Sequence, residues 1–294
     1  MKTLFYLPVP APHRFRAGLL LLLLTITLTA AAQSKEQLVV PLSSPGKPGL
    51  LHIKLVNGGV TVLGYSGKDV VIDAAPRGRS RDKDADDDSD DDNDTDGKPG
   101  AKGMRRIAGA ATFDVTAEEK DNKVYVKSNS WQQPVNMTVK VPQRFSLQIS
   151  TVQDGDIVVE NVSGEIEVNN VNGGIVLRQV SGSAVATTVN GPIKAVFKSV
   201  SAGAPMAFTT VNGPVDVTLP APAKAALKLK SEHGEIYSDF DLVTDKTPAK
   251  VNRTAQNGVY RLNADNWTYG KLNGGGAEIM MKTLNGNIYI RKAK

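Results

Sequence analysis

One phrase, Val-Asn-Gly or Val-Ser-Gly, returns at fixed intervals between Val152 and Leu219, and self-similarity of this kind constrains a fold before any other feature does. It reads Val-Gln-Asp-Gly at 152–155, Val-Ser-Gly at 162–164 and 180–182, and Val-Asn-Gly at 171–173, 189–191 and 211–213. Gly155, Gly164, Gly173, Gly182 and Gly191 are spaced by nine, with Asp/Asn-Gly and Ser-Gly alternating. The unit is therefore eighteen residues holding two strands and two turns.

Glycine accepts the positive φ of a sharp corner, and Asn or Asp tolerates the left-handed region while bonding nearby backbone. In an antiparallel meander the same dipeptide would make type I′ hairpins. Likeness is strongest between alternate strands, which favours parallel coils that stack equivalent positions. The expected fold is all-β, a right-handed β-helix-like solenoid with Asn-Gly and Ser-Gly corners and about 18–22 residues per coil. Stacking would align Asp154, Asn172, Asn190 and Asn212 in a ladder of mutually bonded side chains, and Thr188 with Thr210 in another. Gly155, Gly173, Gly191 and Gly213 make the corners, and Asn285-Gly286 repeats the phrase in a closing coil.

Period-two alternation points Ile157 and Val159, Ile175 and Leu177, Ile193 and Ala195, and Val215 and Val217 inward. On the other face Ile166 and Val168 align with Ala184 and Ala186, then with Met206 and Phe208. The small alanines leave volume that Phe197, Met206 and Phe208 can fill. The apolar residues flanking each Asn-Gly are read as core.

Residues 1–32 read as a signal peptide. Lys2, Arg14 and Arg16 precede a leucine-rich run, Ala30-Ala31-Ala32 supplies the small residues before cleavage, and the run is short for a bilayer span. No later stretch could span a membrane as a helix, so no transmembrane segment is expected after cleavage. Cysteine is absent, which excludes a disulfide framework, a thiol nucleophile and a lipobox anchor.

Residues 33–75 alternate in short strand-like runs and join the same domain as the repeat region, 107–294. Between them, 76–106 is an Asp-rich insertion expected to be disordered, with ten aspartates from Asp82 to Asp96. Asp92, Asp94 and Asp96 before Gly97 match half a calcium loop, but Gly103 stands where the bidentate acid belongs. Solvated disorder is the preferred reading, and no metal or other cofactor is expected. Outside Asp82–Asp96 the chain holds 34 basic and 20 acidic residues, a balance suited to anionic glycans or phosphates, although dispersed lysines are ordinarily a solvated surface. No aromatic-interleaved basic patch indicates specific nucleic-acid binding.

Individual candidates read blandly. Trp131 caps the core, and His52 faces solvent. His233 between Glu232 and Glu235 is the best acid/base cluster in the chain, yet reads as a surface turn. Gly274-Gly275-Gly276 lacks the Lys-Ser/Thr of a phosphate loop. Glu160, Glu165 and Glu167 are the main acids of the repeat, and as neighbours they pair poorly as opposed acid and base.

The Val-Asn-Gly-Pro-Ile and Val-Ser-Gly-Glu-Ile phrases, the strand end Val139-Lys140-Val141-Pro142, and Thr283-Leu284-Asn285-Gly286-Asn287-Ile288-Tyr289-Ile290 resemble the bacterial putative-adhesin family of β-strand-repeat domains. The resemblance covers about Val135 to Arg291 well and Glu36 to Ala75 loosely. It implies an exported bacterial β-solenoid at the periplasm, cell surface or beyond. It supplies no catalytic residues, and the expected role is an adhesive or structural module meeting surface glycans or envelope proteins. Two alternatives stay open: a polysaccharide lyase or hydrolase on a β-helix scaffold, and an envelope signalling accessory.

Overall fold

The computed structural model describes residues 36–77, 114–128, 133–245, 250–256, 259–265 and 267–294. The signal segment, Trp131, nearly all of the Asp-rich insertion and its Asp92, Asp94 and Asp96 lie outside them. The described residues are all-β. No helix among them is long and apolar enough to cross a membrane, which says nothing of crossing by strands.

In chain order the strands are β1 (Glu36–Val40), β2 (Gly49–Asn57), β3 (Val60–Tyr65), β4 (Val70–Pro76), β5 (Val115–Lys120), β6 (Lys123–Ser128), β7 (Val135–Pro142) and β8 (Phe145–Gln153). The repeat continues with β9 (Ile157–Glu160), β10 (Ser163–Asn169), β11 (Ile175–Thr187), β12 (Ile193–Val200), β13 (Met206–Asn212) and β14 (Val215–Leu219). Then follow β15 (Ala225–Ser231), β16 (Ile236–Ser238), β17 (Val243–Asp245), β18 (Lys250–Gln256), β19 (Val259–Asp265), β20 (Thr268–Leu272), β21 (Glu278–Asn285) and β22 (Ile288–Lys292).

Pairing sorts them into two parallel ladders. The first runs β6, β2, β8, β10, β11, β13, β21, β15, with β5 antiparallel beside β6, and with β20 and then β17 antiparallel beyond β15. The second runs β7, β3, β9, β11, β12, β14, β22, β16, with β4 and β1 antiparallel beyond β7. Strand β11 belongs to both: Ile175–Arg178 pair in the second ladder and Ser181–Thr187 in the first, with Gln179 at φ 51° between them. Among the described strands, hairpin β18–β19 pairs only with itself.

Every residue assigned inward by alternation is buried, from Ile157 and Val159 to Met206 and Phe208, in one apolar cluster shared by the two ladders. Phe208 sits beside Ala186 in the first ladder, and the rings of Phe197 and Phe208 meet edge to face at 6.2 Å. Small next to large is how a regular backbone fills an irregular volume. The turn between β5 and β6 is tight. Only Asp121 and Asn122, at φ 52° and 62°, separate the strands, the left-handed pair that matches strand twist in a two-residue hairpin.

Sequence order and spatial order part company at both ends. Strands β21 and β22 do not close the stack: they lie between β13–β14 and β15–β16. Likewise β2 and β3 lie between β6–β7 and β8–β9. Both displaced pairs carry the strand, Asn-Gly, strand grammar, at Asn57-Gly58 and Asn285-Gly286, so their backbones and inward side chains match either neighbour.

Candidate binding face

At one corner of the stack the side chains of Asn172, Asn190, Asn212 and Asn285 form a single column. Asn190 donates to Asn172 Oδ1 at 2.9 Å, Asn212 to Asn190 at 2.8 Å, and Asn285 to Asn212 at 2.7 Å. His233 Nδ1 lies 3.1 Å from Asn285 Oδ1 and ends the column. Asp154 is not in it. The step from β8 to β10 is 19 residues, whereas β9 to β11 is 18, so one residue is extra at this corner. Gln153, paired with Asn57, holds the column position. Asp154 takes up the excess at φ 54°, its carboxylate 3.6 Å from Arg77, while Asn172 bonds the Val152 carbonyl.

The threonines also differ from the expected ladder. Thr188, Thr210 and Thr283 are buried in one column, but each donates to a corner glycine of the neighbouring coil: Gly173, Gly191 and Gly213 carbonyls, all at 2.9 Å. A hydroxyl pointing into the corner meets an unpaired carbonyl before it meets the next hydroxyl, and a buried acceptor must be satisfied. The corner glycines approach so closely that a Cβ on Gly213 would stand 2.4 Å from Gly191 O, and one on Gly286 2.2 Å from Gly213 O.

The valines of the phrase divide by turn type. Val162 and Val180, before Ser-Gly, are buried, whereas Val152, Val171 and Val189, before Asp/Asn-Gly, are 42, 37 and 38% exposed. Val56 and Leu284, at the same place before Asn57 and Asn285, are exposed too. Reading all the flanking apolar residues as core is thus corrected: the Thr–Val–Asn step keeps threonine inside, so alternation turns valine out.

Two residues before the valines lies a second outward row. Lys127, Lys54, Ser150, Asn169, Thr187, Thr209, Lys282 and Lys230 are successive cross-strand partners along the first ladder. Lysine pairs stand at both ends, hydroxyls and an amide lie between, and the row has no carboxylate. At its far end the ammonium groups of Lys228 and Lys230 lie 4.7 and 5.7 Å from the Trp267 ring, a cation–π brace. Lys230 also pairs with Glu232 at 2.9 Å, and that bond, with the nearby charges of Lys230, Lys282 and His233, holds the Glu232 carboxyl below its ordinary range.

The acidic candidates are placed apart. Glu165 and Glu167 stand side by side on β10 along an open groove of about 430 Å³, with Ser146, Gln148 and Ser183 across from them and no opposing acid. Gln148 donates to Glu167 at 3.3 Å. Glu160 lies 3.9 Å from Arg178. His233, Glu232 and Glu235 do not converge: they turn to Asn285, Lys230 and the Tyr237 hydroxyl respectively. His52 is half-buried with its ring edge-on to Tyr125 at 5.6 Å, and burial, then the charges of Lys54 and Lys127, lowers its pKa. Among the described residues no group of three His, Asp or Glu could hold a metal ion.

A second feature, missed in the sequence, ends the other ladder. Tyr237 and Tyr289 stack at 5.3 Å and 9°, and Arg291 covers Tyr289 while its Nε bonds both oxygens of Asp216 at 2.8 and 3.0 Å. The two tyrosines are 52 residues apart, and only the insertion of β22 beside β16 brings them together.

No curated protein matches the chain. A solved structure described as a putative cell adhesion protein from Clostridium sporogenes is 9% identical, with a TM-score of 0.43 over 88% of this chain and 100% of its own. Residues 146–266, from β8 to β19, match the family model Toastrack DUF4097.

Proposed function

We propose that the chain is an exported, non-enzymatic β-solenoid serving as an adhesive or structural module of the bacterial cell envelope. The observation that carries this reading is the pair of in-register outward rows on the first ladder, one polar and cation-ended, one apolar. Rows repeated strand after strand offer many weak, equivalent contacts to a polymer, and these multiply into avidity. Parallel neighbours offset by 18, 19 and 22 residues on the first ladder and by 18 and 22 on the second support the solenoid, and its right-handed sense follows the strong preference of parallel crossovers. Glycoside cleavage on such a scaffold needs two carboxylates flanking one bond, and Glu165 and Glu167 are neighbours on one strand. Export rests on the signal pattern of residues 1–32, and surface glycans or envelope proteins are the partners of this reading.

A glycan array and a cell-attachment assay with the exported chain test it. Binding to cells or polymers at micromolar protein is the expected result, and its absence from both removes the reading. Turnover of a polyanionic polysaccharide that is lost in Glu165→Gln or Glu167→Gln would show an enzyme instead.

A further inference from the structure

We infer that the outward row from Lys127 to Lys230, together with the exposed valines beside it, is a docking track for an acidic polysaccharide laid across the strands. The inference rests on the binding-module reading and names its ligand class. The row crosses eight strands, about 34 Å at the ordinary strand spacing. Its two lysine pairs supply cations at the ends, and the side chains between them can donate to hydroxyls, carboxylates or sulfates. The parallel stripe of Val152, Val171, Val189 and Leu284 offers aliphatic surface for the C–H faces of sugar rings. Among the described residues Val152, Val171 and Val189 are exposed on three successive coils and Val211 on the next is half-buried, although each exposed valine costs apolar surface in water.

Charge selects an anionic chain, and the remaining chemistry selects a sugar. Single-stranded nucleic acid requires aromatic platforms for its bases, and the middle of this track is aliphatic. A peptide strand would add at a sheet edge, whereas the backbone groups here are already paired on both sides. Glu167, one row away and hydrogen-bonded to Gln148 and Asn169, and Glu232, paired with Lys230, are the acids that oppose such a ligand.

The test is binding of the full exported chain to alginate and dextran sulfate, with neutral dextran and a thirty-nucleotide dT oligomer as comparison arms. The expected result is preference for the acidic polysaccharides. Lys54→Ala/Lys127→Ala and Lys230→Ala/Lys282→Ala should each weaken binding by roughly tenfold and flatten its salt dependence. Val171→Ser/Val189→Ser should weaken it at unchanged salt slope, and Glu167→Gln should tighten it. Lys140→Ala/Lys194→Ala removes equal charge from the outward face of the second ladder and should change binding less than about twofold, because screening confines each lysine's effect to its surroundings. Equal loss in that control pair, preference for the dT oligomer, or equal binding of neutral dextran would each overturn the inference while leaving a binding module. Failure to bind any polymer or cell removes the module reading as well.

Discussion

Asn285 donates its side-chain N–H to Asn212 across 2.7 Å, although 73 residues separate them in sequence. The bond marks the place where the last strand pair enters the interior of the stack and passes the Asn column on to His233. Strands β13 and β14 on one side and β15 and β16 on the other therefore depend on residues near the chain's end for their backbone partners.

Amide protons of β21 and β22 should then exchange as slowly as those of β11 at the centre of the repeat, although terminal segments ordinarily fray. Native-state hydrogen exchange checks this. Fast exchange confined to 278–292 would mean that the coil is an accessory to a stack that stands without it.

Asn212 makes two side-chain bonds in the column, one to each neighbouring coil. Asn212→Ala should cost about 1–2 kcal/mol in denaturant unfolding, since a net hydrogen bond contributes about 1 kcal/mol. Asp154→Asn, outside the column, removes the charge facing the exposed Arg77 while keeping a side chain that tolerates φ 54°, and should lie within about 0.5 kcal/mol of the parent.

Thr210→Val keeps the shape of a buried side chain and leaves the Gly191 carbonyl without its hydroxyl donor. A loss of about 1–3 kcal/mol is expected, with Thr210→Ser, which keeps the hydroxyl donor, losing less. Equal loss in both variants would assign the effect to packing.

Gly213 combines φ 148° with an added-Cβ contact of 2.4 Å to Gly191 O, so Gly213→Ala should destabilise by more than about 1 kcal/mol. Gly203, where a Cβ would meet nothing within 4 Å, serves as the comparison, and Gly203→Ala should be near neutral. Thermal unfolding of the pair separates a stacked corner from an ordinary turn.

Burial, reinforced by Lys54 and Lys127, lowers the His52 pKa below its ordinary 6.5. The folded chain then binds this proton less well than the unfolded chain does, so its contribution is present above pH 6.5 and is lost as pH falls through the lowered value. His52→Gln should show a smaller fall in Tm between neutral pH and the carboxylate range. The same slope in both proteins would place the acid sensitivity elsewhere. Glu119 has a different window: hydrogen bonds from Ser43 lower its pKa, so its contribution disappears only below the ordinary carboxylate range.

What the sequence determined by itself is the local rule. An eighteen-residue period with glycine at every ninth place dictates strands that alternate in and out, and the inward set from Ile157 to Phe208 follows from that period alone. Asparagines at one phase of the repeat must meet if the coils are parallel, and Asn172, Asn190 and Asn212 do. Tertiary structure decided what a period cannot encode. One extra residue at the first corner put Gln153 at the column's register position and Asp154 outside it. Threonine's claim on the corner interior turned the valines of Val-Asn-Gly to solvent, an outcome that depends on which of two alternating faces closes over the core. The order of the coils was also undetermined, because β2–β3 and β21–β22 carry the same grammar as their neighbours, and only packing of complete coils places them inside the stack. That placement lines up the lysines of β15 and β21 with those of β2 and β6 and stacks Tyr237 on Tyr289. Side chains far apart in sequence become rows because parallel strands register equivalent positions at one spacing, so the outward rows belong to the stack rather than to any single repeat.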